Sequence, residues 1–353
     1  MSLDREWLVA FPKVSLHDHL DGGLRPATVV EIAAETGHRL PADDPDELGR
    51  WFAASADSGS LERYLATFDQ TLAVMQRDVD LRRVAREFVE DLAADGVVYG
   101  ETRWAPEQHT RHGLTPAQAI DAVGDGLREG MALCAGRGQD IVVRQLVTAM
   151  RHAPEPTTEI AELALRYRRE GVAGFDIAGA ERGFPAERFL PSFRLLRAAS
   201  AYYTIHAGEA DGIESIRQAV CLCGANRIGH GVAIMEEVDR TGAVVGDLAA
   251  YVRDQGIALE MCPSSNVQTG AVPSLAAHPL PVLDRLGFRV TVNCDNQLMS
   301  ATRLSAEFAL LGEVFGYRAE DVRRLSLNAA RSAFAPYEVK RALVERIETF
   351  DRR

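Results

Sequence analysis

The stretch VSLHDHLDG, residues 14–22, alternates apolar and polar side chains as a β-strand does. Because side chains alternate between the two faces of a strand, Val14 and Leu16 can point into a core while His17 and His19 share the other face. Two imidazoles on one face can ligate a metal ion, although an isolated His-x-His pair is more often part of a buried strand without one. The role of this pair therefore depends on further ligands from later strands.

The rest of the chain alternates short apolar segments with amphipathic ones of helical length. After the opening strand, we predict strands at residues 97–103, 141–150, 172–179, 202–207, 227–231, 257–261 and 289–293, with helices between them and after the last. Apolar strands separated by helices are typical of a parallel sheet that is covered on both faces. Residues 16–24 lack the G-x-G-x-x-G turn that a doubly wound sheet would normally carry. The sequence thus predicts an α/β fold, a TIM (β/α)8 barrel with extra C-terminal helices.

The length of the chain suits one such barrel with an insertion. We predict a single domain over residues 1–353, in which residues 40–76 form a helical insertion after the first strand. Pro41, Pro45 and Gly59 divide this segment into short helical pieces. Such insertions often cover an active site, which is our prediction here, while a purely structural excursion remains the alternative.

Composition narrows the classes of partner. Hydrophobic residues make up 46% of the chain and charged residues 25%, as in ordinary globular proteins. The net charge of −12, without a basic stripe, argues against nucleic acid as a partner, since an acidic surface repels phosphates. Free nucleosides and bases remain possible ligands.

Cysteine usage and the N-terminal sequence predict a cytoplasmic protein. The five cysteines lack Cys-x-x-Cys spacing and read as buried small residues in a reducing compartment. The first residues lack the pattern of a signal peptide, and no apolar run reaches membrane-spanning length, so we expect no membrane partner.

Residues that can carry chemistry follow several predicted strands, and in a barrel such strand ends converge on one mouth. They are His17, His19, Gly179, His206, Glu209, His230, Asp295 and Asn296. Three imidazoles with a carboxylate suit zinc or a similar divalent ion with an open position for water, whose pKa the ion lowers. Glu209, three residues after His206, can reach the same cavity and donate a proton if burial keeps it protonated. His230 lies between two glycines, which allows close approach to that water.

Six segments resemble, in order, the motifs of the adenosine deaminase family within the metal-dependent amidohydrolases. They are HDHLDGG at 17–23, FDIAGAE at 175–181, TIHAGE at 204–209, RIGHG at 227–231, CPSSN at 262–266 and VNCDN at 292–296. The resemblance spans nearly the whole chain. It implies a zinc-bearing barrel, with one Zn²⁺ per chain, that hydrolyses the exocyclic amine of a 6-aminopurine.

The resemblance also implies roles for individual residues. The zinc ligands would be His17, His19, His206 and Asp295. Glu209 would donate a proton to purine N1, His230 would position the attacking hydroxide, and Asp295 would orient the same water. Attack at C6 and loss of ammonia would convert adenosine, or 2′-deoxyadenosine, to the 6-oxopurine nucleoside.

Substrate contacts are implied in the same way. Gly179 would contact purine N3 through its backbone, and His19 and Asp21 would lie near the ribose 5′-hydroxyl. One departure concerns N7: many members have two aspartates at the last motif, whereas this chain has Asp295-Asn296, which resembles the actinobacterial type of the family. An Asn can donate an N–H to N7, whereas an Asp could donate only if a raised pKa kept it protonated. Purine recognition is therefore retained, but the identity of the substrate stays open.

The sequence also bears on other classes of hydrolase and on other substrates. A binuclear amidohydrolase would usually carry a lysine on strand four, and residues 172–179 contain none. The cytidine type of zinc deaminase needs H-x-E with P-C-x-x-C, and the chain has neither pattern. Adenine, AMP or aminodeoxyfutalosine could replace adenosine, with AMP disfavoured because only Arg25 and Arg103 are basic near the motifs. A non-enzymatic binding barrel is the remaining alternative, and the sequence leaves the oligomeric state open.

Overall fold

The computed structural model describes residues 3–239 and 246–351, so residues 1–2, 240–245 and 352–353 of the predicted domain lie outside the described part. The strands of the described part are β1 (Lys13–His19), β2 (Val97–Trp104), β3 (Val142–Met150), β4 (Val172–Ala178), β5 (Thr204–Ala207), β6 (Arg227–His230), β7 (Ala258–Met261) and β8 (Val290–Val292). Its α-helices are α1 (Arg5–Ala10), α2 (Pro26–Thr36), α3 (Pro45–Ala56), α4 (Leu61–Leu65), α5 (Phe68–Val74), α6 (Asp78–Ala94), α7 (Pro116–Gly136), α8 (Glu159–Arg166), α9 (Leu190–Ala198), α10 (Gly212–Arg217), α11 (Asp247–Asp254), α12 (Pro263–Gln268), α13 (Leu280–Arg285), α14 (Leu304–Phe315), α15 (Ala319–Ser332) and α16 (Tyr337–Glu348).

The strands are parallel and follow one another in sequence order. One sheet has the order β1-β2-β3-β4 and the other β5-β6-β7-β8. Single parallel bridges join the two sheets on both sides, Phe175 to Tyr203 and Asp18 to Asp295. The predicted α/β class and the strand order of a TIM barrel are thereby confirmed, and the carboxyl ends of all eight strands lie at the same end of the molecule.

Local sequence explains these elements. Strands β2, β4, β5, β6, β7 and β8 are buried at every position, as expected for apolar strands covered on both faces. Helix α7 begins with a capping box, in which Thr115 and Gln118 each accept a hydrogen bond from the other's backbone, and Pro116 fills the first helical position. Helix α2 ends at Gly37, whose φ of +74° suits glycine.

The predicted bounds differ from the structure in a few places. Strand β5 begins at Thr204 rather than residue 202, because Tyr202 is 39% exposed and stacks on Phe334 outside the sheet. Helix α12 was not predicted, although Pro263 directly after β7 is a helix-start signal. The short helix α1, which Asp4 caps, was not predicted either.

The predicted insertion, residues 40–76, contains α3, α4 and α5 and packs against segments that follow β7 and β8. The Gly59 backbone N–H donates to the Gln268 carbonyl at 2.8 Å. The hydroxyls of Tyr64 and Ser300 lie 3.2 Å apart, and the Thr67 hydroxyl donates to Met299 Sδ at 3.3 Å. The insertion therefore lies at the carboxyl ends of the strands.

Two further observations concern the cysteines and the lengths of the helices. All five cysteines lie within the described residues and are unpaired. No helix in the described ranges is long and apolar enough to cross a bilayer.

Candidate metal centre and its surroundings

Five polar side chains from distant parts of the chain meet at the carboxyl ends of the strands. They are His17 and His19 of β1, His206 of β5, His230 of β6 and Asp295 after β8. One potential ligand atom from each of four of them, His17, His206, His230 and Asp295, lies within 4.8 Å of all the others, and all four are buried. The predicted ligand His19 is outside that group but adjoins it.

Three distances connect the four ligands that the sequence predicts. His17 Nε2 is 3.2 Å and His19 Nε2 is 3.4 Å from the same oxygen, Asp295 Oδ1. His19 Nε2 is also 3.3 Å from His206 Nε2. A tetrahedral ion with bonds of roughly 2.0–2.1 Å separates its ligand atoms by about 3.3–3.4 Å. These side chains are thus spaced as ligands of one such ion.

The hydrogen bonding of His17 is also consistent with a bound metal ion. Its Nε2 is buried and makes no hydrogen bond with another described residue, although Asp295 Oδ1 is close. A buried imidazole nitrogen without a hydrogen-bond partner is costly in a folded protein unless it binds a ligand such as a metal ion. Three imidazoles and a carboxylate are the donor set that zinc and similar ions prefer.

Two buried carboxylates hold two of the imidazoles with Nε2 towards the centre. His17 Nδ1 donates to Glu260 Oε2 at 2.9 Å, and His206 Nδ1 donates to Asp176 Oδ2 at 3.0 Å. Because Nδ1 carries the proton in each ring, Nε2 keeps its lone pair for a metal ion.

Arg103 connects these two carboxylates inside the barrel. Its fully buried guanidinium donates to Asp176 at 3.0 Å and to Glu260 at 2.7 Å. Burial alone would raise the pKa of Glu260, but Arg103 and Arg227 reverse the effect and hold it well below the usual value. Glu260 is therefore an ionised acceptor for His17.

Sequence reasoning missed Glu260 and Asp176 and treated Arg103 only as a basic residue near the motifs. A usable signal existed, because each is a charged residue within an otherwise mainly apolar predicted strand. Interior positions of a barrel alternate with exterior ones, and a charge there needs an internal partner. Asp176 in FDIAG, Arg103 in GETRW and Glu260 in ALEMC could have been paired on that basis.

Strained backbone supports two members of the cluster. His230 and Asp295 have φ angles of +59° and +63°, a region that residues other than glycine rarely occupy. Such conformations persist where surrounding contacts hold them, often at functional sites. For Asp295, one contact is the Ser265 hydroxyl, which donates to Oδ2 at 2.6 Å and leaves Oδ1 towards the histidines.

Glu209 approaches the cluster from the loop after β5. Its side chain is 6% exposed, its Oε2 is 3.5 Å from His230 Nε2, and its Oε1 has no hydrogen-bond partner among the described residues. Burial raises the pKa of Glu209 well above its usual value, and the negative charges of Asp295 and Glu181 add to this. The structure thus favours the protonated, neutral form of this carboxyl.

Glu181 holds the loop that carries Glu209. Its carboxylate accepts four consecutive backbone N–H groups, from Gly208 at 2.5 Å, Glu209 at 3.0 Å, Ala210 at 2.5 Å and Asp211 at 3.2 Å. Four amides on one carboxylate fix the loop backbone. The motif FDIAGAE contains Glu181, but the sequence analysis gave it no role.

A cavity of about 300 Å³ opens beside the histidines. His19, Asp21 and Gly179 line it, together with Leu65 and Phe68 of the insertion. This volume is at the small end for ligand pockets. Burial raises the pKa of Asp21 to about 7.

Close packing requires glycine at position 179. Gly179 has a φ of +97°, and a Cβ there would lie 2.7 Å from His152 Nδ1 and 2.9 Å from Met150 Cε. The backbone of this residue can therefore face the cavity only while it lacks a side chain.

The remaining predicted residues do not line that cavity. Glu209 lines a second one, of about 710 Å³, together with His278 and Thr269. Asn296 is buried against Gly22, where a Cβ would lie 1.9 Å from Asn296 Oδ1, and that oxygen has no partner among the described residues. The structure brings the four predicted metal ligands together, and the other predicted site residues lie around them.

Comparisons with known proteins agree with the motifs. The family model described as adenosine deaminase matches residues 12–350. An adenosine deaminase of Streptomyces coelicolor is 56% identical over 94% of this chain and 85% of its own length. An adenosine deaminase of Mycobacterium tuberculosis is 54% identical over 95% of this chain and 93% of its own length.

Solved structures extend the comparison to the fold. An adenine deaminase from Arthrobacter aurescens has a TM-score of 0.84 at 26% identity and covers 96% of this chain and 98% of its own. An amidohydrolase with bound zinc from Burkholderia ambifaria has a TM-score of 0.82 at 25% identity and covers 99% of this chain and 94% of its own. Both the sequence and the fold of this chain therefore match one group of enzymes over nearly its whole length.

Proposed function

The chain belongs to the adenosine deaminase family, and on that basis we propose that it hydrolyses adenosine and 2′-deoxyadenosine to inosine or 2′-deoxyinosine and ammonia. It is a hydrolase of a C–N bond in a cyclic amidine. The geometric observation that carries the proposal is a buried acid, Glu209, beside four converging side chains, His17 and His19 of β1, His206 of β5 and Asp295 after β8.

We propose one Zn²⁺ per chain, held by His17, His19, His206 and Asp295. The separations of 3.2–3.4 Å between atoms of this set support it, because they match the ligand spacing of a tetrahedral ion. His230 belongs to the same cluster and is assigned a different role. A divalent cation there would lower the pKa of a water molecule and so supply a hydroxide nucleophile near neutral pH.

Proton transfer falls to Glu209 and the positioning of water to His230 and Asp295. The protonated Glu209 carboxyl donates to purine N1 as oxygen adds to C6, which neutralises the charge that would otherwise develop on the ring. Ser265 holds one oxygen of Asp295, which leaves the other for the ion and the water. Of the two protons of the attacking water, one protonates the amino group, so that the C6–N bond breaks and ammonia leaves, and the other returns to Glu209 as the C6 carbonyl forms.

Substrate orientation is assigned to residues around the cavity. The Gly179 backbone contacts purine N3, and His19 with Asp21 faces the ribose 5′-hydroxyl. Asn296 donates an amide N–H to N7; its buried oxygen lacks a partner, which is consistent with an amide that reorients when the purine binds.

The insertion of residues 40–76 is proposed to cover the active site. Leu65 and Phe68 line the same cavity as His19, and the Phe68 ring lies 6.4 Å from the His19 ring. An apolar cover excludes bulk water and strengthens the electrostatic interactions beneath it.

Arginine pairing supports a nucleoside over a nucleotide. Arg25 forms an ion pair with Asp91 at 2.7 Å, and Arg103 forms ion pairs with Asp176 and Glu260. Neither of these two arginines is available for the phosphate of AMP, although Arg182 also lines the cavity that contains Glu209. The five unpaired cysteines agree with the predicted reducing, cytoplasmic location, which cell fractionation would test.

A substrate panel tests the proposal. Zinc-loaded protein is assayed with adenosine, 2′-deoxyadenosine, adenine, AMP and aminodeoxyfutalosine, and metal content is measured on the same sample. We expect one zinc per chain and the highest kcat/KM with the two adenosines. Preference for adenine would assign the chain to the activity of its Arthrobacter neighbour, and no turnover of any 6-aminopurine would favour the binding barrel.

A further inference from the structure

Three buried polar side chains, His230, Asn266 and His278, form a hydrogen-bonded chain. The mechanism above uses only His230. Asn266 of α12 lies 3.0 Å from His230 Nδ1 and, on its other side, 3.2 Å from His278 Nε2. Asn266 is 0%, His230 1% and His278 3% exposed. Side chains buried to this degree are expected to have hydrogen-bond partners, and the contacts within the chain supply them here.

A backbone amide fixes the orientation of Asn266. The Cys262 N–H donates to Asn266 Oδ1 at 3.3 Å, so the atom at that position is the oxygen and not the amide nitrogen. The nitrogen, Nδ2, then faces His230. Because an amide NH₂ can only donate, His230 Nδ1 has to be the acceptor.

A second backbone amide fixes the proton of His278. The Leu280 N–H donates to His278 Nδ1 at 3.1 Å, so Nδ1 carries no proton. A neutral imidazole has its proton on the other nitrogen, and Nε2 therefore donates to Asn266 Oδ1. Burial lowers the pKa of His278 to about 3, which keeps the ring neutral at neutral pH.

We propose that Asn266 and His278 are positioning residues that hold His230 as the Nε2–H tautomer. The proton of His230 then lies on the nitrogen that faces Glu209 and the metal ligands, 3.5 Å from Glu209 Oε2. In this state His230 donates a hydrogen bond to the oxygen that adds to C6 and does not remove a proton from it. The tautomer follows from geometry alone, whereas its effect on turnover rests on the proposed function.

NMR of the zinc-loaded protein tests the tautomer directly. With ¹⁵N-labelled histidine, two-bond ¹H–¹⁵N correlations distinguish Nδ1–H from Nε2–H, and the His230→Gln spectrum identifies the His230 signals. We expect wild-type His230 to be the Nε2–H form. A proton on Nδ1, or an Nε2 without a proton, overturns the proposal, whatever the kinetics of the Asn266 and His278 variants.

Asn266→Asp is the variant that should reverse the tautomer. A carboxylate can only accept, so His230 Nδ1 must then donate, and Nε2 loses its proton in the neutral ring. We expect the NMR pattern of His230 to switch and kcat to fall roughly 10²–10⁴-fold, the range for acid–base groups, with zinc content and KM nearly unchanged. A folded Asn266→Asp protein with an unchanged His230 pattern contradicts the proposal.

Kinetic rescue separates positioning from packing. His278→Gln keeps an N–H donor near the position of Nε2, whereas His278→Leu removes it. We expect His278→Gln to retain most of kcat and His278→Leu to lose at least tenfold. Ser264→Ala, on the same helix as Asn266, is the control and should keep wild-type kcat. Equal loss in the two His278 variants would indicate a packing role only.

Discussion

Glu209 combines two properties that a proton donor needs, a raised pKa and a carboxyl oxygen without a hydrogen-bond partner among the described residues. Burial and the charge of Asp295 favour its neutral form, and Oε1 has no partner among the described residues. Since only the protonated acid can donate, activity should decline as the pH rises through the raised pKa. Activity that depends on any general acid falls in this direction as the pH rises. The decline should be absent in a variant in which Glu209 is replaced.

Glu209→Gln should therefore lower kcat roughly 10²–10⁴-fold, because the amide keeps the shape but cannot transfer the proton. Zinc content should stay at the wild-type value, since Glu209 is not a proposed ligand. Steady-state kinetics and metal analysis check this. The control is Glu62→Gln, an exposed glutamate that lines the same 710 Å³ cavity, which should retain activity. Near-wild-type turnover in Glu209→Gln would remove this residue from the mechanism.

Asn296 is the position at which the chain departs from much of its family. Asn296→Ala should raise KM about tenfold and narrow the preference for adenosine over 7-deazaadenosine, because the donor to N7 is lost; a hydrogen bond is worth about 1 kcal/mol. Competition assays with both nucleosides measure this. Unchanged discrimination would mean that the purine does not place N7 against Asn296.

At the scale of elements, α4 and α5 bring apolar side chains over the cavity. Phe68→Ala should raise KM for adenosine about tenfold with a smaller change in kcat, because burial of a phenyl group contributes roughly 1.5–3 kcal/mol and the catalytic groups stay in place. Phe315→Ala is the matched control, since Phe315 is also partly buried but lies in α14 near a different cavity. An equal KM change in both variants would show that α5 does not cover the substrate.

The order and type of the strands could be predicted because each is a short apolar run that a helical segment follows. His17, His19 and His206 could be predicted as neighbours because strand ends in a barrel converge, whatever the details of packing. Element ends were less accurate: Tyr202 is aromatic and next to Tyr203, so propensity extended β5 by two residues that the sheet does not pair in a ladder.

Contacts between side chains from different strands could not be predicted. Whether Glu260 meets His17 or another partner depends on strand register, and the β1 to β2 register shifts twice. The chain from His278 through Asn266 depends on α12, which was not predicted, and on a bond from the backbone of Leu280. Such contacts follow from three-dimensional placement and leave no periodic signal in the sequence.

For the whole molecule, buried neutral histidines make stability depend on pH. Burial lowers the pKa of His109 to about 4, while the unfolded chain has a value near 6.5. Between these values only the unfolded state binds the proton, so stability falls as the pH falls below about 6.5. His278, with a pKa of about 3, acts in the same direction.

His109→Asn should reduce this acid sensitivity, because Asn can still donate to the Met75 carbonyl, which His109 Nδ1 approaches at 2.7 Å, but does not titrate. Between pH 7 and pH 5 the wild type should lose about 2 kcal/mol more unfolding free energy than the variant. Urea unfolding at both pH values measures the difference. Equal losses would mean that His109 is protonated in the folded state.

The proposed ligands also connect the two halves of the fold. His17 and His19 belong to the sheet of β1–β4, whereas His206 belongs to the sheet of β5–β8 and Asp295 follows β8. Among the described residues, one isolated β-bridge, Asp18 to Asp295, joins β1 to the segment after β8. An ion at this point would therefore bind the folded arrangement and not the unfolded chain, where these residues are far apart.

Removal of the metal should consequently lower the stability of the whole molecule. A ligand that binds only the folded state adds about 4 kcal/mol when its free concentration is 1,000 times Kd, so chelation should lower Tm by roughly 5–10 °C. Added Zn²⁺ should restore Tm. Glu209→Gln should show the full shift because its ligands are intact, whereas Asp295→Ala should begin near the chelated Tm and respond little to zinc. If protein that metal analysis shows to be free of zinc melts at the wild-type temperature, the ion is not held by both sheets.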